Sequence, residues 1–180
     1  KNYKRLRYQT DTKWNKGHLP AQYESYKDWV GKLTQGERFK PFLNGTAEQN
    51  FQSLWDEVTN KWFKFGRYST WFYLQTLKQC CGFNIDSPNL VFADYSGSKS
   101  HRNGFCYAMG KDDWVNKKLT AEEINFLEIE GRKVLEESKK AFPHVAEKMD
   151  FFSMETALCS FKKLFRVRDG RYLGYYLDRQ

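Results

Sequence analysis

The sequence predicts a mainly α-helical single domain, with at most a short β-hairpin near residues 90–109. Three observations lead to that class. Two capping boxes, Thr46-Ala47-Glu48-Gln49 and Thr120-Ala121-Glu122-Glu123, each precede a run whose apolar residues recur at helical spacing. A further apolar stripe, Met154, Ala157, Leu158, Phe161, Leu164 and Phe165, keeps the same period late in the chain. The length of 180 residues is enough for one domain with a substantial core, so neither a second domain nor a long linker is required.

Residues 1–15 mix Lys1, Lys4, Arg5, Arg7 and Lys13 with Tyr3, Tyr8 and Trp14 and have no clear period. They read as a basic arm or the remnant of an upstream region. A first helix opens at Pro20, a residue suited to a first helical turn. It sets Tyr23, Tyr26, Trp29, Val30 and Leu33 on one face before Gly31 and Gly36 weaken it. Pro41 and Asn44-Gly45 mark a turn. Behind the first capping box, Phe51, Leu54, Trp55, Val58 and Trp62 form the stripe of an amphipathic helix, expected to face the core. Gly66-Arg67 then begins a helix with Trp71, Leu74 and Leu77 along one side and Gly82 as its stop.

Residues 89–93, Asn-Leu-Val-Phe-Ala, read as a short strand or a buried extended segment. Residues 94–104 read as a polar loop, and residues 105–110 as a partner strand. The second capping box, with Leu119 as a staple residue, opens a helix carrying Ile124, Leu127, Val134 and Leu135 that ends near Pro143. The last helix starts around Ser153 and carries Lys162, Lys163 and Arg166 on its polar face. A basic and aromatic run that includes Arg171 and Tyr172 follows.

A net charge of +8 favours an acidic partner, because positive surface potential attracts polyanions. Phe, Tyr and Trp make up 18% of the chain, so some are expected at the surface to stack on bases; an aromatic-rich core is the alternative. Four cysteines without a C-x-x-C pair indicate a reduced, intracellular protein, and the three histidines are not spaced to complete a zinc site. No metal or cofactor is expected. No apolar stretch reaches the roughly twenty residues of a membrane span. The start at Lys1 leads us to expect a natural N-terminus further upstream.

The loop over residues 94–104 concentrates the groups a phosphate or nucleotide site needs. Ser96, Ser98 and Ser100 offer hydroxyl donors, Lys99 and Arg102 offer charge-assisted contacts, and Asn103 adds an amide. His101 titrates near neutral pH and Asp94 follows an apolar run that would orient its carboxylate, so these two are the catalytic candidates. The Walker order is absent, and a solvated loop accounts for the same residues. At Gly66-Arg67 the glycine, the unpartnered first amides of the helix and its dipole suit a phosphate grip; a plain loop-to-helix junction is the alternative.

Gly66-Arg67-Tyr68-Ser69-Thr70 resembles the second half of a helix-hairpin-helix element, and Asp94 lies downstream of it much as the catalytic aspartate does in helix-hairpin-helix DNA glycosylases. Tyr68 stands where bifunctional glycosylases carry a lysine nucleophile, which argues against a lyase reaction. Together with the Ser100-His101-Arg102-Asn103-Gly104 run and the block from Thr156 through Arg179, these residues make the chain similar to the bacteriophage amino acid:DNA transferases, relatives of the alpha-glutamyl/putrescinyl thymine pyrophosphorylases. The resemblance runs from about Phe51 to the end.

It implies a helix-hairpin-helix glycosylase-like helical fold working in the cytoplasm of an infected bacterial host. The implied reaction is thymidine hypermodification, in which an amino acid or polyamine amine displaces pyrophosphate from a pyrophosphorylated 5-hydroxymethyluracil in DNA. Its partners are then DNA and a small amine donor, with no membrane. Under this reading Asp94 or His101 handles the amine proton. Gly66, Arg67, Ser96, Ser98, Lys99, Ser100, Arg102 and Asn103 serve phosphate, and Tyr68, Lys162, Lys163, Arg166, Arg171 and Tyr172 contact DNA. Base flipping is expected. A base-excising glycosylase and a non-catalytic DNA-binding module are the competing readings.

Overall fold

The computed structural model describes residues 18–93 and 99–163, and the basic arm lies outside the described residues. Seven α-helices are present among them: α1 (Leu19–Val30), α2 (Gln35–Phe39), α3 (Ala47–Lys61), α4 (Arg67–Cys81), α5 (Ser100–Ala108), α6 (Ala121–Ala141) and α7 (Phe151–Lys162). Short 3-10 turns occupy Lys40–Phe42, Asp112–Trp114 and Pro143–Lys148. No strand occurs among the described residues. Among these residues no helix is long and apolar enough to cross a membrane.

Capping chemistry sets the helix starts. The expected boxes at Thr46/Gln49 and Thr120/Glu123 are both formed, each side chain reaching the other's backbone amide. Thr34/Glu37 opens α2 the same way. The last helix begins at Phe151 rather than around Ser153, because Asp150 caps it by accepting from the Ser153 amide at 2.7 Å. Gly31 and Gly82 close α1 and α4 at φ 64° and 68°.

The α3 stripe is buried as expected at Phe51, Leu54, Trp55 and Val58. It meets Trp71 of α4 and Phe152 of α7 in a cluster of rings with centroids 4.9 to 6.3 Å apart. A second cluster joins Trp29, Phe39 and Trp62. The aromatic excess therefore builds core to a large extent. Among the described aromatics, Tyr23, Phe63, Phe126 and Phe142 are the exposed ones. Tyr23 and Leu33 face solvent instead of sharing a buried face with Trp29, and the other buried residue of α1 is Gln22, whose amide donates to the Lys64 carbonyl at 3.4 Å.

Two glycines permit close approaches. A methyl on Gly104 of α5 would lie 2.1 Å from the Leu158 carbonyl oxygen of α7, so these helices meet backbone to backbone. On α6, a methyl at Gly131 would press Leu90 at 3.3 Å, and its absence lets residues 90–92 lie against that helix.

Candidate active site

Residues 105–110, expected as a strand, belong instead to α5 and the turn after it. The apolar residues of this short stretch carried no period that distinguishes a strand from a buried helix. Residues 89–93, expected as a strand or a buried extended segment, form neither: the chain bends at 88–89 and turns at 92–93, Val91 takes a positive φ, and only Leu90 and Phe92 of the five are buried. The Ser100-His101-Arg102-Asn103-Gly104 run, expected as part of a polar loop, forms the first half of α5 with four consecutive buried residues from His101 to Gly104.

Burial forces these polar groups to find partners inside. Arg67 has 0% exposure; its Nη1 donates to Glu155 Oε1 at 3.3 Å, its Nη2 donates to the Leu90 carbonyl at 3.1 Å, and its guanidinium lies 5.0 Å from the Trp71 ring. His101 stacks on Phe92 with centroids 5.3 Å apart and sets Nδ1 3.9 Å from the same Glu155 oxygen. Cys159 points its thiol at that oxygen from 3.7 Å. One carboxylate of α7 thus gathers α4, α5 and the segment at Leu90.

Burial raises the Glu155 carboxyl above the usual carboxylate range, with Arg67 pulling it back. Burial first, then the Glu155 charge, push the Cys159 thiol up to about 12, opposed by the Ser100 hydroxyl and Arg67. Such a thiol is a poor nucleophile.

A second carboxylate holds the segment from the other side. Glu128 of α6 accepts from the Leu90 amide at 3.0 Å with Oε2 and from the Phe92 amide at 2.7 Å with Oε1, while Asn89 Oδ1 accepts from the Val91 amide at 2.8 Å. Three successive amides are engaged by side-chain oxygens, the geometry of a backbone nest around an anion. Val91 sits at φ 51°, where a β-branched residue is strained by about 1–3 kcal/mol. Arg132 adds a bond to the Pro88 carbonyl at 2.6 Å. Burial raises the Glu128 carboxyl, against the pull of the Phe92 and Leu90 amides.

The expected site residues divide accordingly. Asp94, Ser96, Ser98, Arg166, Arg171 and Tyr172 lie outside the described residues. Lys99 and Ser100 are half-buried at the start of α5, and Lys162 and Lys163 are half-buried at the end of α7. The guanidinium of Arg67 turns inward, so the expected phosphate grip at Gly66-Arg67 cannot be made by this side chain. The left-handed residue of the preceding turn is Lys64 at φ 54°, whereas Gly66 caps α4 in an extended conformation. Tyr68 packs on Phe72 at 4.7 Å. Arg102 is buried and donates to the Lys117 carbonyl at 3.3 Å; Asn103 exchanges bonds of 2.7 and 3.2 Å with Asn116. These two residues secure the loop after α5.

Glu155 and Glu128 were not legible as site residues. The one available signal was a lone carboxylate inside the apolar run Phe151-Phe152-Ser153-Met154-Glu155, a place that demands a buried partner. Among the described residues no group of three or more His, Cys, Asp and Glu is arranged to hold a metal.

The arrangement fixes both flanks of residues 94–98. On one side the segment at Leu90–Phe92 is clamped by Arg67 and Glu128, and on the other α5 is docked on α7. The amino acid:DNA transferase family profile matches residues 1–171. The chain is 32% identical to a protein named serinyltransferase from Salmonella phage ViI, in an alignment covering 99% of this chain and 46% of that protein. The chain therefore spans about half the length of that relative. No solved structure matches it.

Proposed function

The chain belongs to the amino acid:DNA transferase family, and on that footing we propose that it joins the amino group of an amino acid, serine first among candidates, to a thymine-derived base in phage DNA. The substrate base carries a methylene whose oxygen is esterified with pyrophosphate. The amine nitrogen attacks the methylene carbon, the carbon–oxygen bond breaks, and pyrophosphate leaves with the electron pair. The ammonium proton of the new bond passes to a general base.

The observation that supports this reading from the geometry is the double anchoring around residues 94–98. Half-buried Glu128, and Arg67 paired with buried Glu155, hold residues 90–92 ahead of Asp94, and the backbone contact of α5 with α7 holds the chain from Ser100 onward. Functional loops on a rigid frame of this kind are a recurrent arrangement. In this proposal Asp94 takes the proton. Lys99, Ser100 and the first amides of α5 stabilise the departing anion, together with Ser96 and Ser98. His101, buried and stacked on Phe92, acts as a positioning residue. Arg67, Arg102 and Asn103 serve the frame rather than phosphate.

The net charge of +8 and the lysines at the end of α7 suit a DNA backbone. The name of the phage relative motivates serine as the donor. Serine-dependent release of pyrophosphate from DNA bearing pyrophosphorylated 5-hydroxymethyluracil tests the proposal. Wild type releases it, Asp94→Asn loses most of the rate while still binding DNA, and an unaffected Asp94→Asn would remove the base assignment.

A further inference from the structure

Beside Ala93, the last described residue before Asp94, a cleft of about 420 Å³ opens between α3 and α6. That volume lies within the range of about 300–1,000 Å³ typical of small-molecule sites. Trp55 and Phe51 supply an aromatic wall from α3, and Gln52, Asn89 and Asn125 bring three carboxamides to the lining. Its one charged lining residue is Glu128. A diphosphate would meet repulsion there and no cation, so the cleft is not an anion seat. Two other clefts are rimmed by charges of both signs, Glu24, Asp28, Arg38 and Lys61 in one and Arg132, Lys133, Glu136 and Glu137 in the other.

An aromatic wall with carboxamides is the chemistry that holds a neutral planar ring by its edge. We propose that this cleft receives the flipped pyrimidine base, with a uracil-type edge, during the reaction; the assignment rests on the transferase reading above. Asn89 Oδ1 is committed to the Val91 amide, which leaves its amide group as a donor toward a ring carbonyl. Gln52 Nε2 donates to Asp56 at 2.9 Å, which leaves its oxygen as an acceptor. Each Glu128 oxygen accepts one backbone amide and retains a second lone pair. A ring N–H is therefore welcome at Glu128, and the lone pair that cytosine presents at the same ring position is repelled. The 5-methylene of the seated base then projects along the Ala93 side of the cleft, and its diphosphate stays outside.

The test places 2-aminopurine next to a single pyrophosphorylated 5-hydroxymethyluracil in a duplex and reads the fluorescence rise that accompanies flipping. Gln52 and Asn125 are exposed, so Gln52→Ala and Asn125→Ala keep the fold, as a thermal melt verifies. The expected result is a rise with wild type and a requirement for about fivefold more protein with each variant, the effect of about one lost hydrogen bond. The bulkier Asn125→Trp abolishes the rise, and affinity for unmodified duplex stays unchanged for all three. A 5-hydroxymethylcytosine duplex gives no rise. Equal rises for the variants, or none with wild type, overturn the proposal. Wild type that flips the base but transfers no amine leaves the cleft standing and removes the transferase reading. Transfer with unaffected variants does the reverse.

Discussion

Gly104→Ala isolates the contact on which the geometry of α5 depends. The new methyl would stand 2.1 Å from the Leu158 carbonyl oxygen and 2.9 Å from its carbon, against about 3.4 Å for ordinary contact. Both obstacles are backbone, so no rotamer change relieves them. The helices must part by about 1.3 Å, the difference between those two distances. A radial gap of about 0.5–1 Å already forfeits a quarter to a half of each dispersion contact. Overpacking of this kind costs about 1–3 kcal/mol, and an unyielding backbone neighbour puts the expected loss near the top of that range. The gain in helix propensity, about 1 kcal/mol, opposes it. A net loss of about 2 kcal/mol lowers the Tm of a chain this size by about 4–8 °C, measurable by circular dichroism. Gly36, Gly82 and Gly110 have nothing within 4 Å of an added methyl. Gly36→Ala should hold or raise the Tm, and Gly82→Ala, at φ 68°, should lose about 1 kcal/mol from left-handed strain alone. A Gly104→Ala protein that melts at or above wild type would refute the close docking of α5 on α7.

Burial raises the Glu155 carboxyl despite Arg67, so its contribution to stability is greatest below its unfolded value, about 4.3, and is lost as pH rises through the folded one. Glu155→Gln removes that titration; its deficit against wild type should therefore shrink between about pH 4 and pH 7 in urea titrations, and a widening deficit would mean that the Arg67 pair dominates. Glu128→Gln turns one of the two accepting oxygens into an NH2 donor, so the backbone amide facing it is left unsatisfied at a cost of about 1–3 kcal/mol. Hydrogen exchange at Leu90 and Phe92 should accelerate, and unchanged protection would contradict the clamp. Burial pushes the Cys106 thiol up to about 11 and the Cys159 thiol up to about 12, whereas Cys80 and Cys81 are exposed. A disulfide reagent at pH 8 should then titrate Cys80 and Cys81 quickly and the other two only after denaturation, and fast reaction of all four would refute the burial.

The helices were legible wherever a cap and a period agreed. Thr46/Gln49 and Thr120/Glu123 marked their starts because a capping box is a local device, written within four residues. The first half of α5 was not legible, because Ser, His, Arg, Asn and Gly are composed like a loop and became helix through tertiary docking on α7. The same five residues drew attention as chemistry, and burial makes three of them structural supports. Arg67 was singled out for phosphate at a helix start, a reading that takes no account of a carboxylate 88 residues away in sequence. Glu155 and Glu128 escaped notice for the same reason: their roles are defined by partners on other elements. The family resemblance, carried by short blocks of residues, agrees with the profile match over residues 1–171.

Amine transfer to a base in DNA is tested most directly by the mass of the product. Protein is incubated with DNA containing pyrophosphorylated 5-hydroxymethyluracil and nitrogen-15 serine, and the DNA is digested to nucleosides for mass spectrometry. The expected product is a nucleoside heavier by a serine joined through its labelled nitrogen, formed in step with released pyrophosphate. Unchanged or merely hydrolysed nucleosides, or free base with abasic sites, would contradict it.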